Sequence, residues 1–126
     1  MGKTSAMVFG WVLVIVGILG FIPNPIVGAN GIFLTDLLHN LVHIISGAIF
    51  LWAAYSAPMK AGSVMTVFGV IYLILGVLGF FSAGDSLLGL VASNMADTYL
   101  HLVLGVVFVL AGIKAGKSAA APQSMM

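Results

Sequence analysis

The sequence predicts an all-α, polytopic membrane four-helix bundle made of two parallel two-helix repeats, and three observations lead there. Hydrophobic residues make up 62% of the 126 and charged residues only 6%, too little polar surface to cover a soluble globule. The apolar residues fall into four long runs whose few polar side chains lie mostly near their starts. The chain is also written twice: Phe9-Gly10 through Leu19-Gly20-Phe21 returns as Phe68-Gly69 through Leu78-Gly79-Phe80. Gly31, Thr35-Asp36, His43 and Gly47 return as Gly89, Ser93-Asn94, His101 and Gly105, one residue being lost between Phe80 and Gly89. Self-similarity at a fixed interval marks one structural unit used twice. The whole of 1–126 then reads as a single membrane domain, with repeat 1 over 5–57 and repeat 2 over 61–113.

Helix 1 is expected over 5–22, uncharged throughout and as long as the roughly 18 residues a bilayer requires. It stops at Pro23-Asn24-Pro25, where proline removes amide donors. The outer loop to Thr35 is short and carries Ile32, Phe33 and Leu34 along the membrane surface. Helix 2 is expected over 37–57, with Thr35 or Asp36 as N-cap, Pro58 just beyond its end, and Trp52 with Tyr55 as an interfacial anchor. Helix 3, over 63–81, repeats helix 1, and helix 4, over 97–113, repeats helix 2 with Ser93 or Asn94 as its cap. Residues 115–126 read as a disordered cytoplasmic tail.

Basic residues number four, all of them lysine, and acidic residues three. Lys3, Lys60, Lys114 and Lys117 share one set of helix ends, and Asp36, Asp85 and Asp97 lie at the other. The positive-inside bias puts both termini and the central turn in the cytoplasm. Two helices per unit return the chain to the same side, which makes the repeats parallel. Helix 1 has no prompt cleavage site, and its counterpart is internal, so it reads as a retained span and not a signal peptide. The absence of cysteine excludes disulfides, thiolate metal sites and cysteine catalysis. A net charge of +1 leaves no footprint for nucleic acid.

Glycines recur at equal places: Gly10, Gly17 and Gly20 on helix 1, Gly69, Gly76 and Gly79 on helix 3. Together with Gly47 and Gly105 these are expected as helix-packing positions, because small residues let backbones approach in lipid. Gly47 and Gly105 are expected to permit close contact between helices 2 and 4.

The chemistry-bearing residues lie on two stripes. Asp36, His39, Asn40, His43 and Gly47 are spaced by three or four along helix 2, and Asn94, Asp97, Thr98, His101 and Gly105 along helix 4. At ~1.5 Å rise per residue the shared histidines sit about 10 Å inside their helix starts. Polar groups at that depth turn inward, so the stripes are expected to face each other. One reading is hydrogen-bond glue between helices, which needs no cofactor. The other is a ligand site: His43 and His101 holding a haem or chlorophyll-type pigment, or His39, His43, Asp97 and His101 holding zinc or iron. The acidic helper of a zinc hydrolase motif is missing, and no catalytic residue is expected.

The runs Gly17-Ile18-Leu19-Gly20-Phe21-Ile22-Pro23, Leu38-His39-Asn40-Leu41-Val42-His43 and Ala96-Asp97-Thr98-Tyr99-Leu100-His101-Leu102-Val103-Leu104-Gly105 resemble the family of small bacterial four-helix membrane proteins known as domain of unknown function 4383. The likeness covers almost all of residues 8–112. Thr98 stands where the family's second motif usually has asparagine. The resemblance implies a bacterial inner-membrane protein and carries over no catalytic residue. The expected role is non-enzymatic: a structural, accessory or self-assembling subunit of a membrane complex, partnered by the lipid bilayer and by copies of itself or other membrane proteins. The alternative is a haem-, pigment- or metal-binding membrane protein using His43 and His101.

Overall fold

The computed structural model describes residues 2–120; the end of the expected tail, 121–126, lies outside them. Four α-helices make up most of the described residues: α1 (Gly2–Leu19), α2 (Leu37–Ser56), α3 (Ala61–Phe80) and α4 (Met95–Ala120). Each is long and apolar enough to cross a membrane, and the chain is a multi-pass membrane protein. A single 3-10 turn, Pro58–Lys60, joins α2 to α3. Lys60 lies over the Trp52 ring, 5.8 Å from its centre. The two loops at the other end each hold a two-residue strand pair that the sequence does not announce. Val27–Gly28 (β1) pairs parallel with Phe33–Leu34 (β2), and Ser86–Leu87 (β3) pairs antiparallel with Val91–Ala92 (β4).

Helix ends differ from the sequence expectation for physical reasons. α1 stops at Leu19 instead of Ile22 because Asn24 serves the freed groups. Its Nδ2 donates to the carbonyls of Leu19, Ile22 and Val27, and its Oδ1 accepts from the amides of Ile26 and Val27. Such side-chain partners are what a helix terminus requires. α4 begins at Met95, before the expected residue 97, because Asn94 and Asp97 cap reciprocally. The Asp97 amide donates to Asn94 Oδ1 at 3.1 Å and the Asn94 amide donates to Asp97 Oδ2 at 3.0 Å. α4 also runs on to Ala120, so residues 115–120 are helical where disorder was expected. Ala115 is buried there, and alanine is the best helix former.

Packing is closest within the pairs α1–α2 and α3–α4, and glycine makes it possible. A Cβ on Gly47 would meet the Gly10 carbonyl oxygen at 2.6 Å and the Val14 amide nitrogen at 2.8 Å. A Cβ on Gly105 would meet the Gly69 carbonyl oxygen at 2.9 Å and the Leu73 amide nitrogen at 2.8 Å. Gly47 and Gly105 therefore seat α2 on α1 and α4 on α3, and do not bring α2 and α4 together as expected. Gly17 and Gly20 meet Ile44 and Asn40, and Gly76 and Gly79 meet Leu102 and Thr98. Rising residue numbers on one helix thus meet falling numbers on its partner, so each pair is antiparallel. Gly62 and Gly112, which the sequence reading did not single out, form a further close contact between α3 and α4. Gly2 approaches both Ala61 and Ala115, so α1 and α3 start at the end where α4 finishes.

Candidate functional site

Buried positions in α2 run His39, Asn40, His43, Ser46, Gly47, Phe50, Ala53 and Ala54, an inward stripe at helical spacing. In α4 the inward positions include Asp97, Thr98, His101, Gly105, Phe108 and Ala115. The backbones of α2 and α4 pack far less closely than those within each pair, and large side chains bridge the gap. Its lower part is aromatic: Phe50 and Phe108 lie 5.0 Å apart between ring centres, with Phe9, Phe68 and Tyr72 around them. Its upper part, next to the two loops, is the histidine layer.

Ring centres of His39 and His43 are 4.7 Å apart, those of His39 and His101 5.5 Å, and those of His43 and His101 6.2 Å. One nitrogen from each lies within 4.8 Å of the other two. All three side chains are buried, at 3%, 4% and 5% exposure. The i,i+4 spacing on α2 brings two rings to one side, and α4 contributes the third from the opposite pair.

The loops hold this layer in place. His39 Nδ1 is 2.6 Å from the Ala92 carbonyl oxygen. A carbonyl only accepts, so Nδ1 carries a proton, and in the neutral ring Nε2 is the nitrogen with the lone pair. Asp36 caps α2 through its Oδ1, which accepts from the His39 amide at 2.9 Å, and its Oδ2 accepts from the Ala92 amide at 3.0 Å. Residue 92 is thereby tied to α2 by both of its backbone groups. Asn94 Nδ2 donates to the Ile32 carbonyl at 2.9 Å, binding the loops together from the other side. Burial pushes the Asp36 carboxyl up, but the lowering influences together, chief among them the His39 and Ala92 amides it accepts from, hold it below its ordinary value of 3.8.

Several polar atoms of this layer are buried without a hydrogen-bond partner among the described residues: His39 Nε2, His43 Nδ1, Asn40 Oδ1, Thr35 Oγ1 and Tyr72 OH. Of the hydrogen-bond glue expected of the histidines, the contact among the described residues is that of His39 Nδ1 with the Ala92 carbonyl. Asn40 instead fills the groove beside Gly20. Asp97, expected as a fourth ligand, is not among the three convergent residues; its Oδ2 accepts from the Asn94 amide.

Next to the rings is a cavity of about 80 Å³, lined by His39, His43 and His101, with Tyr72 below and Leu87, Val91 and Ser93 of the second loop above. Small-molecule and cofactor sites usually occupy roughly 300–1,000 Å³. The cavity beside His43 and His101 is smaller than a haem or chlorophyll-type macrocycle. An ion with a water or two fits, a water's share of liquid being about 30 Å³.

Residues 3–114 match the family described as Domain of unknown function (DUF4383). The chain belongs to that family. No curated protein and no solved structure is matched. The DUF4383 match spans all four helices and the whole histidine layer, as the motifs around His39, His43 and His101 led one to expect. Sequence reading also missed two parts of the site: the Ala92 carbonyl that orients His39, and the roof formed by Leu87 and Val91. Neither had a local signal, since a backbone carbonyl looks the same at every position and the roof is made by residues far along the chain.

Proposed function

We propose that this DUF4383 protein is a non-enzymatic structural or accessory subunit of a bacterial inner-membrane assembly, engaging copies of itself or other membrane proteins inside the bilayer. The observation that carries this reading is the division of its surface. The outward faces of all four helices are rows of large apolar side chains, among them Trp11, Ile15, Ile45, Ile71, Ile74 and Leu110. The buried polar side chains are gathered mainly into the layer beneath the loops, and both loops are hydrogen-bonded back onto the bundle. A protein partner then finds its broadest surface within the lipid. The glycine seams are occupied inside the chain, so contacts between chains would use the aliphatic and aromatic faces. The carboxylates of Asp36 and Asp97 accept from backbone amides at helix starts, which suits a structural role better than acid–base work.

Both termini and Lys60 are cytoplasmic in this reading. Its support is that Gly2, Ala61 and Ala115 meet at one end, which gathers Lys3, Lys60, Lys114 and Lys117 on one side as the positive-inside bias favours. A duplicated, parallel pair of hairpins accounts for the match of inward positions Asn40, His43, Gly47 and Phe50 with Thr98, His101, Gly105 and Phe108. Photo-crosslinking residues at Ile71 and Leu110, activated in intact bacterial membranes, test the proposal. Discrete protein adducts from at least one face are expected. Adducts with lipid alone from every lipid-facing position would overturn it.

A further inference from the structure

We propose that His39, His43 and His101 form a site for one divalent transition-metal ion of the zinc type, with the fourth coordination position open to the small cavity under the second loop. Three features point to a ligand and not to packing. The nitrogens converge to within 4.8 Å, although nothing in helix packing requires three imidazoles to meet. His39 is pre-set: the Ala92 carbonyl fixes its Nδ1 proton and leaves Nε2 buried and unpartnered. Metal-binding histidines characteristically donate their other N–H to a carbonyl or carboxylate in this way, which sets the tautomer and the ring orientation. His43 Nδ1 is also buried with no partner among the described residues, a costly state in a membrane interior without water.

The donor set chooses the ion. Three neutral imidazoles suit zinc, copper, iron or nickel, whereas calcium and magnesium require oxygen ligands. The protein has no cysteine, so a thiolate site is excluded. At a metal–nitrogen distance of about 2.0–2.1 Å, tetrahedral ligands stand roughly 3.4 Å apart. The present spread of up to 4.8 Å has to tighten toward that value when the ion binds. Three histidines with one open position is the ligand count of an open zinc site, not of a closed structural one. Asp36, which accepts from the His39 backbone amide, puts one carboxylate on the turn of α2 next to the first ligand. This site does not depend on what the protein assembles with.

The test uses full-length, tag-free protein in mild detergent, stripped with a chelator and titrated with Zn²⁺. One tightly held Zn²⁺ per chain is expected after desalting, and Co²⁺ in its place should give the visible bands of a four-coordinate nitrogen-rich site. His39→Gln, His43→Gln and His101→Gln should each weaken Zn²⁺ binding at least tenfold. Gly62→Ala, a packing change at the far end of the α3–α4 seam, should keep the full stoichiometry, which separates loss of ligands from loss of stability. X-ray absorption at the zinc edge of the unsubstituted protein should show three imidazole nitrogens, a reading that requires no variant to fold. Substoichiometric zinc, binding unchanged in the histidine variants, or a zinc shell of oxygens without imidazole would each overturn the proposal.

Discussion

Replacing Gly47 by alanine adds one methyl group to the α1–α2 seam, and the geometry sets the outcome. The new Cβ would lie 2.6 Å from the Gly10 carbonyl oxygen, 2.8 Å from the Val14 amide nitrogen and 2.7 Å from Val14 Cγ2. Comfortable contact between such atoms begins at about 3.5 Å, so the shortfall is most of an ångström. Two of the three obstacles are backbone atoms, which no rotamer change can move, so α1 and α2 must separate. Overpacking of this kind costs about 1–3 kcal/mol, partly offset by the up to ~1 kcal/mol by which alanine favours helix over glycine. A net loss of about 1–2 kcal/mol is expected. Gly116→Ala is the internal control: it lies in the same kind of helix with nothing within 4 Å of the added carbon, and should be neutral or stabilising by up to ~1 kcal/mol. Unfolding of both variants in mild detergent, by heat or denaturant, measures the gap between them. Gly47→Ala as stable as Gly116→Ala would show that α2 does not rest on Gly10 and Val14, and the described seam would be wrong.

Further expectations follow from the loops and the charges. Asp36→Ala removes an N-cap and a loop anchor together, and should cost about 1–2 kcal/mol while speeding amide exchange at Ala92. Because the Asp36 carboxyl is held below its ordinary 3.8 in the folded protein, its contribution is complete above that value and fades as pH falls through the lowered folded one. An Asp36→Asn variant should lack that acid-side loss, and an identical acid profile would refute the assignment. Asn24→Ala should leave α1 intact but raise amide exchange at Ile26 and Val27, whose N–H groups donate to Asn24 Oδ1; unchanged exchange there would count against the Asn24 hub. The protein is free of cysteine, so single cysteines report topology cleanly. In intact cells, one at Asn30 should react with an impermeant thiol reagent, while those at Ser63 and Gly116 should not, and the reverse pattern would invert the membrane orientation.

Much of the architecture was legible in composition and spacing, because the bilayer leaves few choices. A long apolar run must satisfy its backbone internally and so becomes a helix. Proline at 23, 25 and 58 and the polar pairs at 35–36 and 93–94 mark where helices stop and start. Inward orientation of His39, His43 and His101 was equally readable, since polar groups at that depth avoid lipid. The partner of each stripe was not. Gly47 and Gly105 looked suited to meeting each other, yet each instead faces a glycine of its own hairpin, because helices joined by a loop pack most closely and leave the gap between α2 and α4 to large side chains. That gap turns two stripes into a three-histidine cluster and gives it a small cavity. Asp97 shares the inward stripe, but its carboxylate accepts from the Asn94 amide, because the start of α4 has free amides to satisfy. Spacing along one helix determines which side chains share a face. Which faces meet, how far apart, and which backbone carbonyl orients a ring depend on contacts between residues distant in the chain, and only the tertiary structure decides them.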